Sequence, residues 1–92
     1  MPFEWDPEKS IANKEKHGID FDTAKILWSD DNRVEIHVSC HVEDRWIMIG
    51  KIDNKLWTAV FTLRGNVIRI ISVRRSRKKE VDLYEKKGIR KE

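Results

Sequence analysis

The stretch Arg64-Gly65-Asn66-Val67-Ile68-Arg69-Ile70-Ile71-Ser72-Val73-Arg74-Arg75-Ser76-Arg77-Lys78-Lys79-Glu80 decides the fold. β-Branched apolar residues carry a strand from Val67 to Arg74, and arginines stand at its start, middle and exit. Arg64-Gly65-Asn66 is a tight turn, so this strand folds back on the apolar run Lys55 to Leu63 as a hairpin. Toward the N-terminus, Asp53-Asn54 is a second turn and Arg45 to Ile52 a third strand. Val34, Ile36 and Val38 alternate with Arg33, Glu35 and His37, the pattern of a strand wet on one face. Beyond the arginines, Ser76 is expected to cap a closing helix to about Lys87, with Gly88 as its stop and Val81 and Tyr84 on one face.

The remaining N-terminal third reads as two helices. Asp6-Pro7 starts the first, because Asp accepts from free helix N–H groups and Pro suits the first turn. Gly18 ends it in the left-handed conformation. Asp20 caps the second, with Phe21, Ala24, Ile26, Leu27 and Trp28 apolar, and Ser29-Asp30-Asp31-Asn32 breaks it. The expected architecture is α+β in the order ααββββα, with the helices on one face of a four-stranded antiparallel sheet and part of the other face open. Residues 1–92 are expected to form one domain, with a basic tail from Lys86 that frays over 88–92.

The charge is lopsided. Arg64 to Glu92 holds 11 Lys and Arg against 4 Asp and Glu, while Met1 to Leu63 holds 8 against 12. The formal net charge of +3 therefore conceals a dipolar molecule. Arg on a rigid strand suits phosphate, since it stays charged and offers a planar fork of donors. A single cysteine, Cys40, excludes an internal disulfide framework and suits a reducing cytoplasm. No apolar run approaches the roughly 20 residues of a membrane span, and the acidic, aromatic start is unlike a signal peptide. His37, Cys40 and His41 match no standard zinc spacing, so no metal is expected.

Several short motifs carry a family resemblance: Phe3-Glu4-Trp5-Asp6; Asn13 with Lys16-His17-Gly18 and then Phe21; Arg45-Trp46 with Ile49-Gly50; and Ile70-Ile71-Ser72-Val73-Arg74-Arg75 followed by Glu80 and Tyr84. In this order and spacing, from about Phe3 to Glu85, they resemble the BrnT toxins of bacterial type II toxin–antitoxin systems. Val73 departs from the pattern, which often has Ala before the Arg pair; packing rather than chemistry should feel this. The resemblance implies a RelE-like fold and metal-free, cofactor-free endoribonuclease activity that inhibits translation. It also implies a BrnA-like ribbon-helix-helix antitoxin that brings the toxin to operator DNA. A homodimer and a heterotetramer with the antitoxin are both open, and no membrane partner is implied.

Metal-free RNA cleavage needs a base for the 2′-hydroxyl proton, cations for the crowded phosphate, and an acid for the leaving oxygen. Arg74 and Arg75 are the candidate charge stabilisers. Arg is a poor proton carrier, so base and acid are sought among His17, His37, Glu80, Tyr84 and the lysines, with neighbouring arginines able to lower a Lys or Tyr pKa. Lys16, Arg45, Arg64 and Arg69 are candidate RNA contacts. Arg74 lies roughly 26 Å up the strand from the Asn66 turn, so two basic clusters result. Strict alternation puts Arg74 on one face with Ile68, Ile70 and Ser72, and Arg75 on the other with Val67, Arg69, Ile71 and Val73. Each residue also has a structural explanation: salt bridges for the arginines and Glu80, helix capping for His17, sheet packing for Tyr84. The main rival function is a binding module without catalysis that acts in operon repression; no nucleotide loop or nucleophile elbow supports another enzyme class.

Overall fold

The computed structural model describes residues 2–39 and 42–90, the last three as backbone. The sequence folds as β1 (Phe3–Glu4), α1 (Pro7–His17), α2 (Phe21–Ala24), a 3-10 helix (Lys25–Ser29), β2 (Val34–Val38), β3 (Arg45–Ile52), β4 (Lys55–Arg64), β5 (Val67–Arg75) and α3 (Lys78–Arg90). The five strands form one mixed sheet in the order β1-β5-β4-β3-β2. The α+β class and the four-stranded antiparallel meander are as expected, but the ααββββα layout needs correction. Phe3 and Glu4 add a short strand parallel to Ile68 and Arg69 of β5, too brief to leave a periodic signal. The second helix is α-helical for four residues and then tightens to 3-10.

Local chemistry accounts for the boundaries. The Asp6 carboxylate accepts from the Glu8 N–H, Pro7 opens α1, and Gly18 closes it at φ 81°. The Asp20 carboxylate accepts from the Thr23 N–H and starts α2. Asp53 and Asn54 both adopt positive φ in the two-residue β3–β4 turn, which short Asx side chains tolerate. Two C-terminal expectations fail. Ser76 does not cap α3, because its hydroxyl bonds that of Thr58 at 2.8 Å; Arg77 is the turn residue, accepting at its carbonyl from the Glu80 and Val81 N–H groups. Nor does Gly88 stop the helix, which continues to Arg90. Glycine inside a helix costs only about 1 kcal/mol against Ala, too little by itself to force a stop. Of the tail expected to fray, residues 88–90 are helical, and Lys91 and Glu92 lie outside the described residues.

The core lies between the sheet and the N-terminal helices. Ile19, Phe21, Ala24 and Leu27 pack on Met48, Ala59, Phe61, Ile68, Ile70 and Val73, all nearly inaccessible to solvent. Each large apolar side chain buried here stabilises by roughly 1.5–3 kcal/mol. Gly50 lets the 3-10 helix approach the sheet: a Cβ there would meet Leu27 Cδ2 at 3.1 Å and the Leu27 carbonyl oxygen at 3.3 Å.

Beyond Arg69, β5 has no strand on its outer side among the described residues, and the Asn13 side chain of α1 takes that place. Its amide nitrogen donates to the Val73 and Ile19 carbonyls at 2.9 and 2.8 Å, and its oxygen accepts from the Val73 N–H at 3.2 Å. A buried edge peptide is thereby satisfied by a side-chain amide.

The expectation that the helices share one face is also corrected. Val73 and Ala59 face the N-terminal helices. Thr58, next to Ala59, points the other way and meets α3 through Glu80 at 3.0 Å. α3 therefore crosses the opposite face of the sheet, over β3 and β2.

Candidate active site

A bulge in β5 sets the geometry of the arginine pair. Val60 is paired with Ser72 and Phe61 with Ile70, so Ile71 has no partner on β4. The extra residue reverses the alternation beyond it. Arg74 therefore lies on the α3 face, level with Thr58, whereas Arg75 lies level with Trp57 on the core face, with Val73, Ile70 and Ile68. This corrects the grouping that strict alternation suggests. The two arginines do point to opposite faces, but Arg74 keeps company with Ser72 and Arg69 rather than with Ile68 and Ile70.

Arg74 is held by Glu80 from the first turn of α3. Nη1 donates to Oε1 at 2.8 Å and Nη2 to Oε2 at 2.7 Å, and Nη1 also reaches the Arg75 carbonyl at 3.3 Å. Glu80 further accepts from the Arg77 N–H at 2.7 Å and the Thr58 hydroxyl at 3.0 Å. Since Thr58 gives its proton to Glu80, Ser76 must be the donor in the Ser76–Thr58 bond. A chain thus runs from Ser76 through Thr58 and Glu80 to Arg74. The Arg74 hydrogen bonds, helped by Arg77 and Thr58 and opposed by burial, hold the Glu80 carboxyl down at about 2. The same bond raises the Arg74 pKa above its ordinary value. At neutral pH Glu80 is an ionised, fully engaged carboxylate, which suits fixing an arginine better than taking a proton.

Tyr84 is buried, and its hydroxyl donates to Asp30 Oδ2 at 2.7 Å. The same oxygen accepts from the Lys51 N–H at 2.9 Å, and Lys51 Nζ stands 5.7 Å from the Tyr84 ring centre. Burial, with the Asp30 hydrogen bond and charge, pushes the phenol up to about 12. This is opposite to the lowering by arginines expected from sequence: the phenol's nearest charged partner is a carboxylate. Burial raises Asp30, but the bonds from Tyr84, Asn32 and Lys51 outweigh it, so this carboxyl lies below its ordinary range.

The remaining candidates separate. Arg75 is exposed, with its guanidinium carbon 5.4 Å from the Trp57 ring centre. His17 is half-buried, one turn on from Asn13 along α1, and Lys16 beside it is exposed. At the other end of β5, Arg69 meets Glu4 at 2.9 Å, and Arg64 meets the same oxygen at 3.9 Å and Glu43 at 3.4 Å. Arg45 is exposed at the start of β3, opposite Val38. Arg74, Glu80 and Tyr84 thus belong to the α3 face, Arg75 and His17 to elements of the core face, and Arg64, Arg69 and Arg45 to the turn end.

Sequence reasoning missed Thr58 and Asp30, which anchor the two halves of the α3 contact. The available signal was a polar residue in an apolar strand: Thr58 and Thr62 interrupt Leu56 to Leu63 four residues apart, on one face, and both are buried.

The ribonuclease toxin family BrnT, of type II toxin–antitoxin systems, matches residues 5–80. The chain belongs to the BrnT family. No curated protein matches it. The BrnT match includes Lys16, His17, Arg45, Arg64, Arg69, Arg74, Arg75 and Glu80 and ends at Glu80, so Phe3, Glu4 and Tyr84 lie outside it. As a BrnT chain it has a family-level assignment as a ribonuclease toxin with an antitoxin partner. Among the described residues no helix is long and apolar enough to cross a membrane, and no group of three His, Cys, Asp or Glu is placed to hold a metal. His37 instead meets Asp44 at 3.1 Å and packs on Trp46; Cys40 and His41, its partners in the sequence trio, lie outside the described residues.

Proposed function

We propose that this BrnT protein is a metal-independent endoribonuclease with a RelE-like fold that acts in the bacterial cytoplasm, inhibits translation, and is neutralised by a BrnA-like ribbon-helix-helix antitoxin that links it to operator DNA. The observation that carries the catalytic reading is Arg74, anchored by Glu80 at the exit of β5, within the segment the family shares. An arginine has five N–H donors. Two bonds to Glu80 and one to the Arg75 carbonyl leave part of the guanidinium free for a phosphate oxygen.

In this mechanism the RNA 2′-oxygen attacks the adjacent phosphorus, the bond to the 5′-oxygen breaks, and a 2′,3′-cyclic phosphate forms. Arg74 stabilises the charge that builds on the non-bridging oxygens, and Glu80 fixes its direction in advance, so little reorganisation is needed during reaction. Arg75 adds a cation from the opposite side of the strand exit. His17 is the remaining candidate for proton transfer, on an element of the core face with Arg75. Glu80 and Tyr84 serve better as positioning residues, since one holds its charge and the other its proton across the working range.

One observation favours the rival, a binding module without catalysis: Glu80 already satisfies the Arg74 charge. RNA cleavage by purified protein in excess EDTA separates the two readings. The catalytic reading expects cleavage that survives EDTA, leaves a cyclic phosphate, and falls by about 10²–10³ in Arg74→Ala. No cleavage of free or ribosome-bound RNA by the folded protein would establish the rival.

A further inference from the structure

The cations at the two ends of β5 differ in their partners, Arg45, exposed at the turn end, and Arg74, held by Glu80 at the exit, excepted. At the turn end, Arg64 and Arg69 share Glu4, and Arg64 also has Glu43. At the exit end, Lys55, Arg75, Arg77, Lys78 and Lys79 are all exposed. Among the described residues no ion pair engages any of them, and Arg75 rests on the uncharged Trp57 ring.

The exit-end cations come from three elements that the backbone holds together. Arg75 is level with Trp57, two residues along β4 from Lys55. The Ser76 N–H donates to the Leu56 carbonyl at 3.0 Å, which brings the chain entering α3 alongside the β3–β4 turn. Arg77, Lys78 and Lys79 follow at once. Asp53 and Asp82, the nearest carboxylates in sequence apart from Glu80, are exposed and make no ion pair with them. Three successive cations at the start of a helix also oppose its dipole, at roughly 0.3–1 kcal/mol each. No ion pair among the described residues offsets that placement.

We propose that this ledge of Lys55, Arg75, Arg77, Lys78 and Lys79 is the surface that grips the RNA phosphodiester backbone, and that the turn end is not. The inference rests on the ribonuclease reading and adds where its substrate runs. RNA laid on the ledge passes the Arg74–Glu80 pair at the same strand exit. A chain of phosphates suits a row of separate, flexible cations, whereas base-specific contact would call for fixed forks.

The test is the affinity of a 2′-O-methyl RNA, which cannot be cut through its 2′-oxygen, at several salt concentrations. We expect the double variant Lys78→Glu, Lys79→Glu to bind about 10- to 100-fold more weakly and to lose about 0.7 of the logarithmic salt slope per phosphate contact removed. Arg64→Gln, Arg69→Gln should bind within about threefold of the parent. These positions are exposed or partly exposed, and thermal melting confirms that each variant is folded. Parent-like affinity in the Lys78, Lys79 variant, or an equal loss in the turn-end variant, overturns the ledge while parent cleavage of ordinary RNA leaves the nuclease standing. Ledge-dependent binding by a parent protein that cuts nothing supports the ledge and removes the nuclease reading. No RNA binding by the folded parent removes the ledge.

Discussion

Arg74 at the exit of β5 and Glu80 in the first turn of α3 close a two-pronged ion pair, at 2.8 and 2.7 Å, that joins sheet to helix. The Glu80 side chain is only 17% exposed, so solvent screens the pair weakly. Its carboxyl is depressed from 4.5 to about 2. The resulting stability is fully present above the unfolded value and is lost as pH falls toward about 2. The whole effect is on the order of 3 kcal/mol. Glu80→Gln should lower stability by about that much at pH 7 and show a smaller loss than the parent between about pH 5 and 2. Urea unfolding across that range checks both; a parent-like pH dependence in the variant contradicts the assignment.

Asn13 stands in for a missing strand. Asn13→Leu keeps the branched outline but strands the buried Val73 N–H and the Val73 and Ile19 carbonyls. A loss of about 2–4 kcal/mol is expected, with faster amide exchange at Val73. Hydrogen exchange followed by NMR would show whether protection is lost there or nowhere in particular.

Tyr84 is the sole tyrosine of the chain, so its ultraviolet titration can be read against the tryptophans. The phenol should ionise near 12 in the folded protein rather than near 10. A raised value means stability that is complete below about 10 and declines as pH rises toward 12. Tyr84→Phe should abolish the transition and cost about 1 kcal/mol at neutral pH. Ionisation near 10 in the folded chain would break the proposed link to Asp30.

Gly50→Ala tests how closely the 3-10 helix sits on the sheet. The added methyl would press on Leu27 Cδ2, which can turn, and on the Leu27 carbonyl, which cannot move without the helix. A loss of about 1–3 kcal/mol is expected in thermal or urea melts. Leu27→Ala combined with it should not restore stability if the carbonyl is the obstacle.

The elements legible in the sequence were those governed by neighbours in the chain. Asp6-Pro7, Gly18, Asp20 and Asp53-Asn54 act within a few residues, and their caps and turns form as expected. What escaped depends on distant partners. β1 exists only because β5 offers an edge at Ile68 and Arg69. Glu4 neutralises arginines 60 and 65 residues away in sequence. Ser76 has the chemistry of a helix cap but finds Thr58 instead. The family motif marked the arginine pair, while the bulge that sorts its two members leaves no composition signal, since Ile70-Ile71 reads as ordinary strand.

That bulge has an evolutionary consequence. Because Ile71 is the surplus residue, the roles of Arg74 and Arg75 follow from their partners on β4, Thr58 and Trp57, and not from a count of residues along β5. A one-residue deletion at Ile71 would remove the bulge and leave each arginine on its own face. Aligned homologues with a gap in this short run should therefore be compared by strand register: a count from the turn would swap the two arginines, whereas pairing with β4 keeps each with its true counterpart.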